Sequence, residues 1–177
     1  MVRTRPVRVA ASGEHAGVLR QTIVAWKEEG RTALLRPLAH LLAASVVEVM
    51  RDPGPAVLVP VPTTRRSRVA RGADVVDQLA REAATLLRDA GADVSVRAAL
   101  RVARLTSDQS HLGAGERARN LHGAFGVRAS AGLAGREIVV VDDIVTTGAT
   151  LREAARSLAS VGHPPHGAAT VAHRPRR

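Results

Sequence analysis

Residues 138–141 form an unbroken branched apolar run, Ile-Val-Val-Val, and two aspartates, Asp142 and Asp143, follow it without a spacer. A short continuous apolar run is typical of a strand that is buried on both faces of a parallel sheet. In such sheets, ligands bind beyond the carboxyl ends of the strands. The run therefore predicts an α/β fold in which these two aspartates, called the acid pair below, lie at the ligand-binding edge.

The rest of the chain alternates between predicted strands and predicted helices. Strands are predicted at 56–59, 94–100, 124–127, 137–141 and 168–172, and helices at 19–26, 38–49, 75–87 and 150–158. The polar stretch 101–120 has few core positions and is predicted as a loop with a short helix. This alternation favours a single α/β domain over residues 1–177, with a mainly parallel central sheet and flanking helices.

A loop of small residues follows the acid pair and leads into the helix predicted at 150–158. Its members are Thr146, Thr147, Gly148, Ala149 and Thr150, called the phosphate loop below. The first turn of a helix offers unpaired N–H groups and a positive partial charge, which attract phosphate. Carboxylates accept hydrogen bonds from sugar hydroxyls. A ribose 5-phosphate would thus span both features. Two alternatives stay open: an acid pair that binds Mg²⁺, as in receiver domains, and a plain strand–turn–helix whose acids are solvated.

The stretch 138–150, IVVVDDIVTTGAT, resembles the signature of type I phosphoribosyltransferases, which bind 5-phosphoribosyl-1-pyrophosphate (PRPP) together with Mg²⁺. The resemblance implies that Asp142 and Asp143 hold the ribose hydroxyls, act in catalysis and contact Mg²⁺. It also implies that the phosphate loop binds the 5′-phosphate.

Further stretches are similar to the ComF-type competence branch of that family. They include the arginine-rich segment with Arg65 and Arg66, the polar segment with Arg104, and the early segment around Lys27. The resemblance covers nearly the whole chain and implies a small N-terminal hood of helices at 1–55 and a PRPP-binding core at 56–177. Many ComF-type proteins carry a four-cysteine zinc ribbon, whereas this chain has no cysteine.

The same resemblance implies roles around the leaving group and the acceptor. Arg65, Arg66 and Arg104 are the predicted pyrophosphate ligands. Members of the family that use oxopurines place an aspartate three residues after the second acid, where this chain has Thr146. This difference disfavours hypoxanthine and guanine as acceptors and leaves adenine, orotate, uracil and a non-nucleobase amine open.

Composition limits the partners of the chain. The formal net charge is +10, yet Trp26 and Phe125 are the only aromatic residues, so no stacking platform for single-stranded bases is expected. Weak, electrostatic affinity for single-stranded DNA at low salt is the corresponding prediction. No apolar run near 20 residues indicates a membrane span, and the lack of cysteine fits a cytoplasmic protein. A homodimer is a further expectation.

Two functions from different classes remain. The first is a phosphoribosyltransferase that transfers the phosphoribosyl group to an unidentified acceptor. The second is a non-catalytic protein that binds PRPP or a nucleotide and assists DNA uptake. Release of pyrophosphate from PRPP would distinguish the enzyme from the binding protein.

Overall fold

The computed structural model describes residues 7–51, 54–63, 74–103, 121–128 and 132–174. A five-stranded parallel sheet consists of β1 (Arg8–Glu14), β2 (Ala56–Pro60), β3 (Val94–Val96), β6 (Glu137–Val145) and β7 (Gly167–His173). An antiparallel ribbon pairs β4 (Leu100–Val102) with β5 (Phe125–Val127). The helices are α1 (Gly17–Glu28), α2 (Leu35–Val49), α3 (Val75–Asp89) and α4 (Ala149–Ala159). The predicted α/β class is confirmed.

The strand order β1-β7-β6-β2-β3 places β6 at the centre of the sheet. After β2 the chain moves through α3 to one edge strand, β3, whereas after β6 it moves through α4 to β7 on the other side. The direction of winding therefore reverses between β2 and β6. Such a switch point is where open α/β sheets bind ligands, because the loops after the two strands diverge and leave a crevice.

Each face of the sheet has its own apolar core. One core packs α1, α2 and α3 against the sheet, with Ile23, Leu42 and Leu79 among its buried members. The other packs α4 and the β4–β5 ribbon against the opposite face, with Leu158 and Phe125 among its members. The two layers explain why the strand residues Val139, Val140 and Val141 are all fully buried.

Helix α2 and the 3₁₀ turn before it are apolar enough to cross a membrane by length and composition alone. This segment, Thr32–Val49, has 18 residues and a mean hydropathy of 1.4. In the structure Leu38, Leu42 and Val46 are buried in the core against the sheet. Packing of this helix against the sheet accounts for its apolar character.

The sequence predictions missed one strand and merged two others. Strand β1 was not predicted, because Arg8–Glu14 is short of large apolar residues and only Ala10 in it is buried. It nevertheless pairs in parallel with β7, so the N-terminal segment predicted to form a hood of helices also supplies an edge strand. The predicted strand 94–100 is two strands, β3 and β4, which belong to different sheets.

Gly167 lies where the end of helix α2 packs tightly against the sheet. A Cβ atom at this position would lie 2.9 Å from Cβ of Val49 and 3.3 Å from the carbonyl oxygen of Arg8. Neither neighbour is the end of a flexible side chain. The Gly167→Ala variant should therefore lose about 1–3 kcal/mol of folding free energy through overpacking. Urea unfolding followed by the fluorescence of Trp26, the only tryptophan, measures this loss.

Gly54→Ala is the matched control for that variant. Gly54 has no atom within 4 Å of its would-be Cβ and does not need a positive φ. Its unfolding free energy should stay within about 0.5 kcal/mol of the unsubstituted protein. Equal stability of the two variants would contradict the close packing of α2 on β7.

Candidate functional site

The acid pair lies inside strand β6, which corrects the predicted end of this strand. The strand was expected to stop at Val141, but it continues through both aspartates to Val145. Pairing with β2 ends at Val141, where the Val61 N–H donates to the Val141 carbonyl at 2.9 Å, while pairing with β7 goes on. The acid pair therefore lies directly beyond the point where pairing with β2 ends.

Asp143 is the more buried member of the acid pair, with 4% of its surface exposed. Its Oδ2 accepts a hydrogen bond from Nζ of Lys27, and the two groups form an ion pair between β6 and the end of α1. Its Oδ1 accepts from the backbone N–H of Ile144 at 2.9 Å. Both carboxylate oxygens are thus held by donors of this chain, which fixes the side-chain orientation.

Asp142 occupies a different electrostatic environment. Its Oδ1 accepts from the backbone N–H of Asp143 at 2.9 Å. Burial of its carboxyl group and the neighbouring charge of Asp143 raise the pKa of Asp142 well above its ordinary range, against the smaller opposing influence of Lys27. The acid pair therefore combines one carboxylate with a fixed counter-charge and one carboxyl group that resists ionisation.

The phosphate loop makes a sharp turn between β6 and α4. Gly148 has φ 71°, in the left-handed region that favours glycine, and it caps the helix. The first intrahelical hydrogen bond runs from the Arg152 N–H to the Gly148 carbonyl at 2.9 Å, and the Ala149 N–H donates to Oγ1 of Thr147 at 3.3 Å. Helix geometry leaves the other N–H groups of the first turn without intrahelical acceptors, so they can donate to an anion.

The charges around the phosphate loop suit an anion. The first turn of α4 carries no acidic residue. The guanidinium of Arg152 lies beside the loop, since its Nη1 would be 3.3 Å from a Cβ placed on Gly148. A cavity of about 530 Å³ adjoins the loop, and its walls include Thr146, Thr147, Arg152 and the acidic Glu48, but neither member of the acid pair. A positive side chain and the helix start thus lie beside one cavity, which also has an acidic residue in its wall.

The same geometry tests whether the acid pair could hold Mg²⁺ directly. The described part of the chain contains no group of three or more His, Cys, Asp or Glu residues that could hold a metal ion. One oxygen of Asp143 already accepts a hydrogen bond from the ammonium of Lys27 and the other from the Ile144 N–H. A divalent cation placed on Asp143 would meet this ammonium, whereas a hydroxyl donor would not be repelled by it. Asp143 as arranged therefore suits a hydroxyl better than direct ligation of Mg²⁺, and the predicted Mg²⁺ contact of Asp142 stays a prediction.

Comparison with known proteins identifies the family. The family model "Phosphoribosyl transferase domain" matches residues 68–177. The chain is 37% identical over 144 residues to the DNA utilization protein YhgH of Salmonella typhi. The aligned region covers 80% of this chain and 59% of that protein. It is 32% identical over 170 residues to the YhgH protein of Shigella flexneri, with 93% and 69% coverage. The chain belongs to the type I phosphoribosyltransferase family, in its ComF-like branch.

Solved structures of this family resemble the chain only distantly. A hypoxanthine phosphoribosyltransferase of Trypanosoma cruzi gives a TM-score of 0.40 at 18% identity, covering 78% of this chain and 60% of that chain. The HGPRT-ase of Leishmania tarentolae gives 0.34 at 19% identity, covering 96% and 69%. The family assignment rests on the sequence matches and not on these two likenesses.

The structure brings together part of the predicted phosphoribosyltransferase site. The acid pair and the phosphate loop lie on one strand–turn–helix unit, as the sequence predicted. The predicted pyrophosphate ligands Arg65, Arg66 and Arg104 lie outside the described residues. Arg101, in the stretch predicted as a loop with a short helix, is instead on β4, with its guanidinium packed over Gly126 of the partner strand.

Sequence reasoning missed two side chains beside this phosphoribosyltransferase site. Arg152 could have been found from its spacing, because it follows Gly148 by one helical turn. His15 carries no such signal: it directly follows β1, and both of its ring nitrogens are buried without a hydrogen-bond partner among the described residues. Burial, with the charges of Arg174 and Arg20, lowers the pKa of His15, while Asp143 acts in the opposite direction. A neutral imidazole is therefore favoured near the acid pair.

Glu153 connects helix α4 to the ribbon on the same face of the sheet. Its side chain is 5% exposed, and its Oε1 accepts from the Gly123 N–H at 2.8 Å. Arg156 forms a bidentate ion pair with the same carboxylate at 2.7 and 2.8 Å. Burial opposes ionisation, but Arg156 and the Gly123 N–H outweigh it and lower the pKa of Glu153. Glu153 thereby fixes α4 relative to the chain before β5.

The lowered pKa of Glu153 gives a pH-dependent prediction. A carboxyl group whose pKa is lower in the folded than in the unfolded state stabilises the fold fully at pH values above the unfolded-state pKa. This contribution disappears as the pH falls through the folded-state pKa. Glu153→Gln should cost about 1–3 kcal/mol at neutral pH, because a buried charge-assisted hydrogen-bond set is lost. The difference from the unsubstituted protein should shrink as pH falls below the ordinary glutamate value of 4.5. Urea titrations at several pH values measure it.

Glu48→Gln serves as the control for that substitution. Glu48 pairs with Arg8 at 3.8 Å, and both side chains are 63% exposed, so its loss should leave stability unchanged within error. A Glu153→Gln deficit that stays constant down to acid pH would contradict the lowered pKa.

Proposed function

We propose that this chain binds PRPP through the acid pair and the phosphate loop and transfers its phosphoribosyl group to an acceptor. One observation carries the proposal: a single short turn joins the two acids of β6 to the first turn of α4. Acceptors for the ribose hydroxyls and donors for the 5′-phosphate are therefore supplied by one rigid unit at the switch point of the sheet.

The arrangement suits cleavage at the anomeric carbon of the ribose. Phosphoribosyl transfer passes through an oxocarbenium-like state, in which the bond from the anomeric carbon to pyrophosphate breaks as positive charge develops on the ring. Asp142 and Asp143 would hold the ring hydroxyls, while the phosphate loop would hold the other end of the sugar. Fixing both ends orients the anomeric carbon toward the acceptor and reduces the entropic cost of the encounter.

The pyrophosphate leaves with concentrated negative charge, which positioned arginines stabilise. The proposal assigns this role to Arg65, Arg66 and Arg104. It includes Mg²⁺ as the partner of PRPP, held through phosphate oxygens and water, because Mg²⁺ retains several waters and binds readily to substrate phosphates. When bound in that way, the cation would neutralise charge on the leaving group.

The residue at position 146 narrows the choice of acceptor molecule. Thr146 is exposed on the phosphate loop and has no carboxylate that could accept a proton from a purine ring nitrogen. Hypoxanthine and guanine are therefore disfavoured, whereas adenine, orotate, uracil and a non-nucleobase amine remain candidate acceptors.

A second candidate function is a PRPP-binding or nucleotide-binding accessory protein in DNA uptake. The similar proteins of Salmonella typhi and Shigella flexneri are named DNA utilization proteins, and this observation favours it. The net charge of +10 would support weak electrostatic contact with DNA. The chain spans 59% of the Salmonella protein and 69% of the Shigella protein, so the function of those whole proteins enters here as a proposal.

Substitution of Gly148 tests the phosphate-binding role. An alanine there must adopt φ near 71° and bring its Cβ against Arg152, which should displace the turn that aims the N–H groups. We expect Gly148→Ala to weaken PRPP binding by about tenfold or more, since hydrogen bonds to a charged group contribute about 1.5–3 kcal/mol each. Calorimetric titration with PRPP and Mg²⁺ measures the change.

Gly135→Ala is the matched control, because Gly135 has nearly the same φ, 72°, and open space around its would-be Cβ. Both variants should lose about 1 kcal/mol of folding free energy through backbone strain. Only Gly148→Ala should lose PRPP affinity. Equal PRPP affinity in the two variants would rule out the phosphate loop as the binding site.

Two assays separate the enzyme from the accessory protein. An enzyme should release pyrophosphate from PRPP when adenine, orotate, uracil or an amine is supplied, and Asp143→Asn should reduce that release. An accessory protein should bind PRPP and release none. Its affinity for a labelled single-stranded oligonucleotide, followed by fluorescence anisotropy, should fall steeply with added salt. Tight, salt-independent DNA binding would contradict a purely electrostatic contact.

A further inference from the structure

Lys27 reaches the acid pair from a helix that the family signature does not include. It lies in the last turn of α1, next to Trp26, and both Trp26 and Ile23 are buried in the core below it. The ion pair with Asp143 joins residues 116 positions apart in sequence. Because α1 is anchored by buried side chains, the position of the ammonium group is set by the fold.

The pairing is sheltered from water. The side chain of Lys27 is 26% exposed and that of Asp143 is 6% exposed. Solvent and salt screen such a pair much less than an ion pair on the open surface. Since the other oxygen of Asp143 accepts from the Ile144 N–H, this carboxylate cannot rotate without giving up a charged partner, a backbone donor or both.

A divalent cation placed on Asp143 would meet the ammonium of Lys27 directly, and like charges repel strongly in a partly buried site. A neutral sugar hydroxyl meets no such repulsion.

The geometry points to Lys27 as a positioning residue that takes the place of a metal ion at the acid pair. It holds Asp143 in the orientation that accepts a ribose hydroxyl, so recognition of the ribose 5-phosphate part of the ligand does not require Mg²⁺. Any Mg²⁺ that takes part arrives on the pyrophosphate. This inference rests on the proposed function, because it concerns the same ribose site.

The test compares ribose 5-phosphate with 2-deoxyribose 5-phosphate by calorimetry, each with Mg²⁺ or with EDTA. The unsubstituted protein should bind ribose 5-phosphate equally well in both buffers and should prefer it to the deoxy sugar. Lys27→Met should lose about tenfold in affinity for ribose 5-phosphate and little for the deoxy sugar. The ratio of the affinity for ribose 5-phosphate to that for the deoxy sugar should therefore fall toward 1. A general loss of structure would lower both affinities and would not produce this change.

Arg31→Met is the matched control, since it removes a positive charge just beyond α1 from a side chain that is 68% exposed. It should keep the preference for ribose. A tenfold loss of ribose 5-phosphate affinity in EDTA, or an unchanged preference in Lys27→Met, would overturn the inference. If the protein binds neither PRPP nor ribose 5-phosphate, both the proposed function and this inference fail. If PRPP binding depends on Gly148 but the preference for ribose over the deoxy sugar is the same with and without Lys27, only the inference fails.

A second measurement keeps the test valid if Lys27→Met does not fold. Lys27 is the only lysine in the chain, so ¹³C-lysine labelling gives a single ε-methylene cross-peak that needs no assignment. Ribose 5-phosphate should shift this cross-peak, whereas Mg²⁺ alone should leave it in place. A shift with Mg²⁺ alone, or none with saturating ribose 5-phosphate, would contradict the role of Lys27.

Discussion

The site depends on an interruption in the pairing of the central strand. Strand β6 has β2 as a hydrogen-bonded neighbour only as far as Val141, while β7 supports it through Val145. The strand thus keeps one hydrogen-bonded neighbour and loses the other over the residues that carry the acid pair. Continued pairing with β2 would have closed the crevice, and an earlier end of β6 would have left the aspartates on a loose loop.

The phosphate loop and the acid pair lie within a few residues of each other but suit ligand groups of opposite character. The phosphate loop offers a helix start and Arg152 to an anion, and the acid pair offers acceptors to hydroxyl groups. Lys27 reconciles the two, because it compensates the buried charge of Asp143 without the help of a ligand. A buried carboxylate with no such partner would be costly to keep ionised. Helix α1 therefore supplies a charged partner to the acid pair as well as apolar side chains to the core.

Local pattern explains what could be predicted from the sequence. The apolar run at 138–141 identified a buried strand, and the small residues at 146–150 identified a turn into a helix, because each is determined by neighbours in the chain. Strand β1 escaped prediction, since its place at the sheet edge leaves most of its side chains without a core to face. The Lys27–Asp143 contact and the tie from Glu153 to Gly123 depend on how distant elements pack, and no periodicity in a single sequence reveals such pairs.

A crystal structure with ribose 5-phosphate bound in the absence of divalent metal tests whether the unit of β6, the phosphate loop and α4 holds the sugar phosphate. We expect the phosphate against the N–H groups that open α4, the ring hydroxyls on Asp142 and Asp143, and Lys27 still in contact with Asp143. A sugar phosphate bound elsewhere, or a metal ion needed between the hydroxyls and the acid pair, would contradict it.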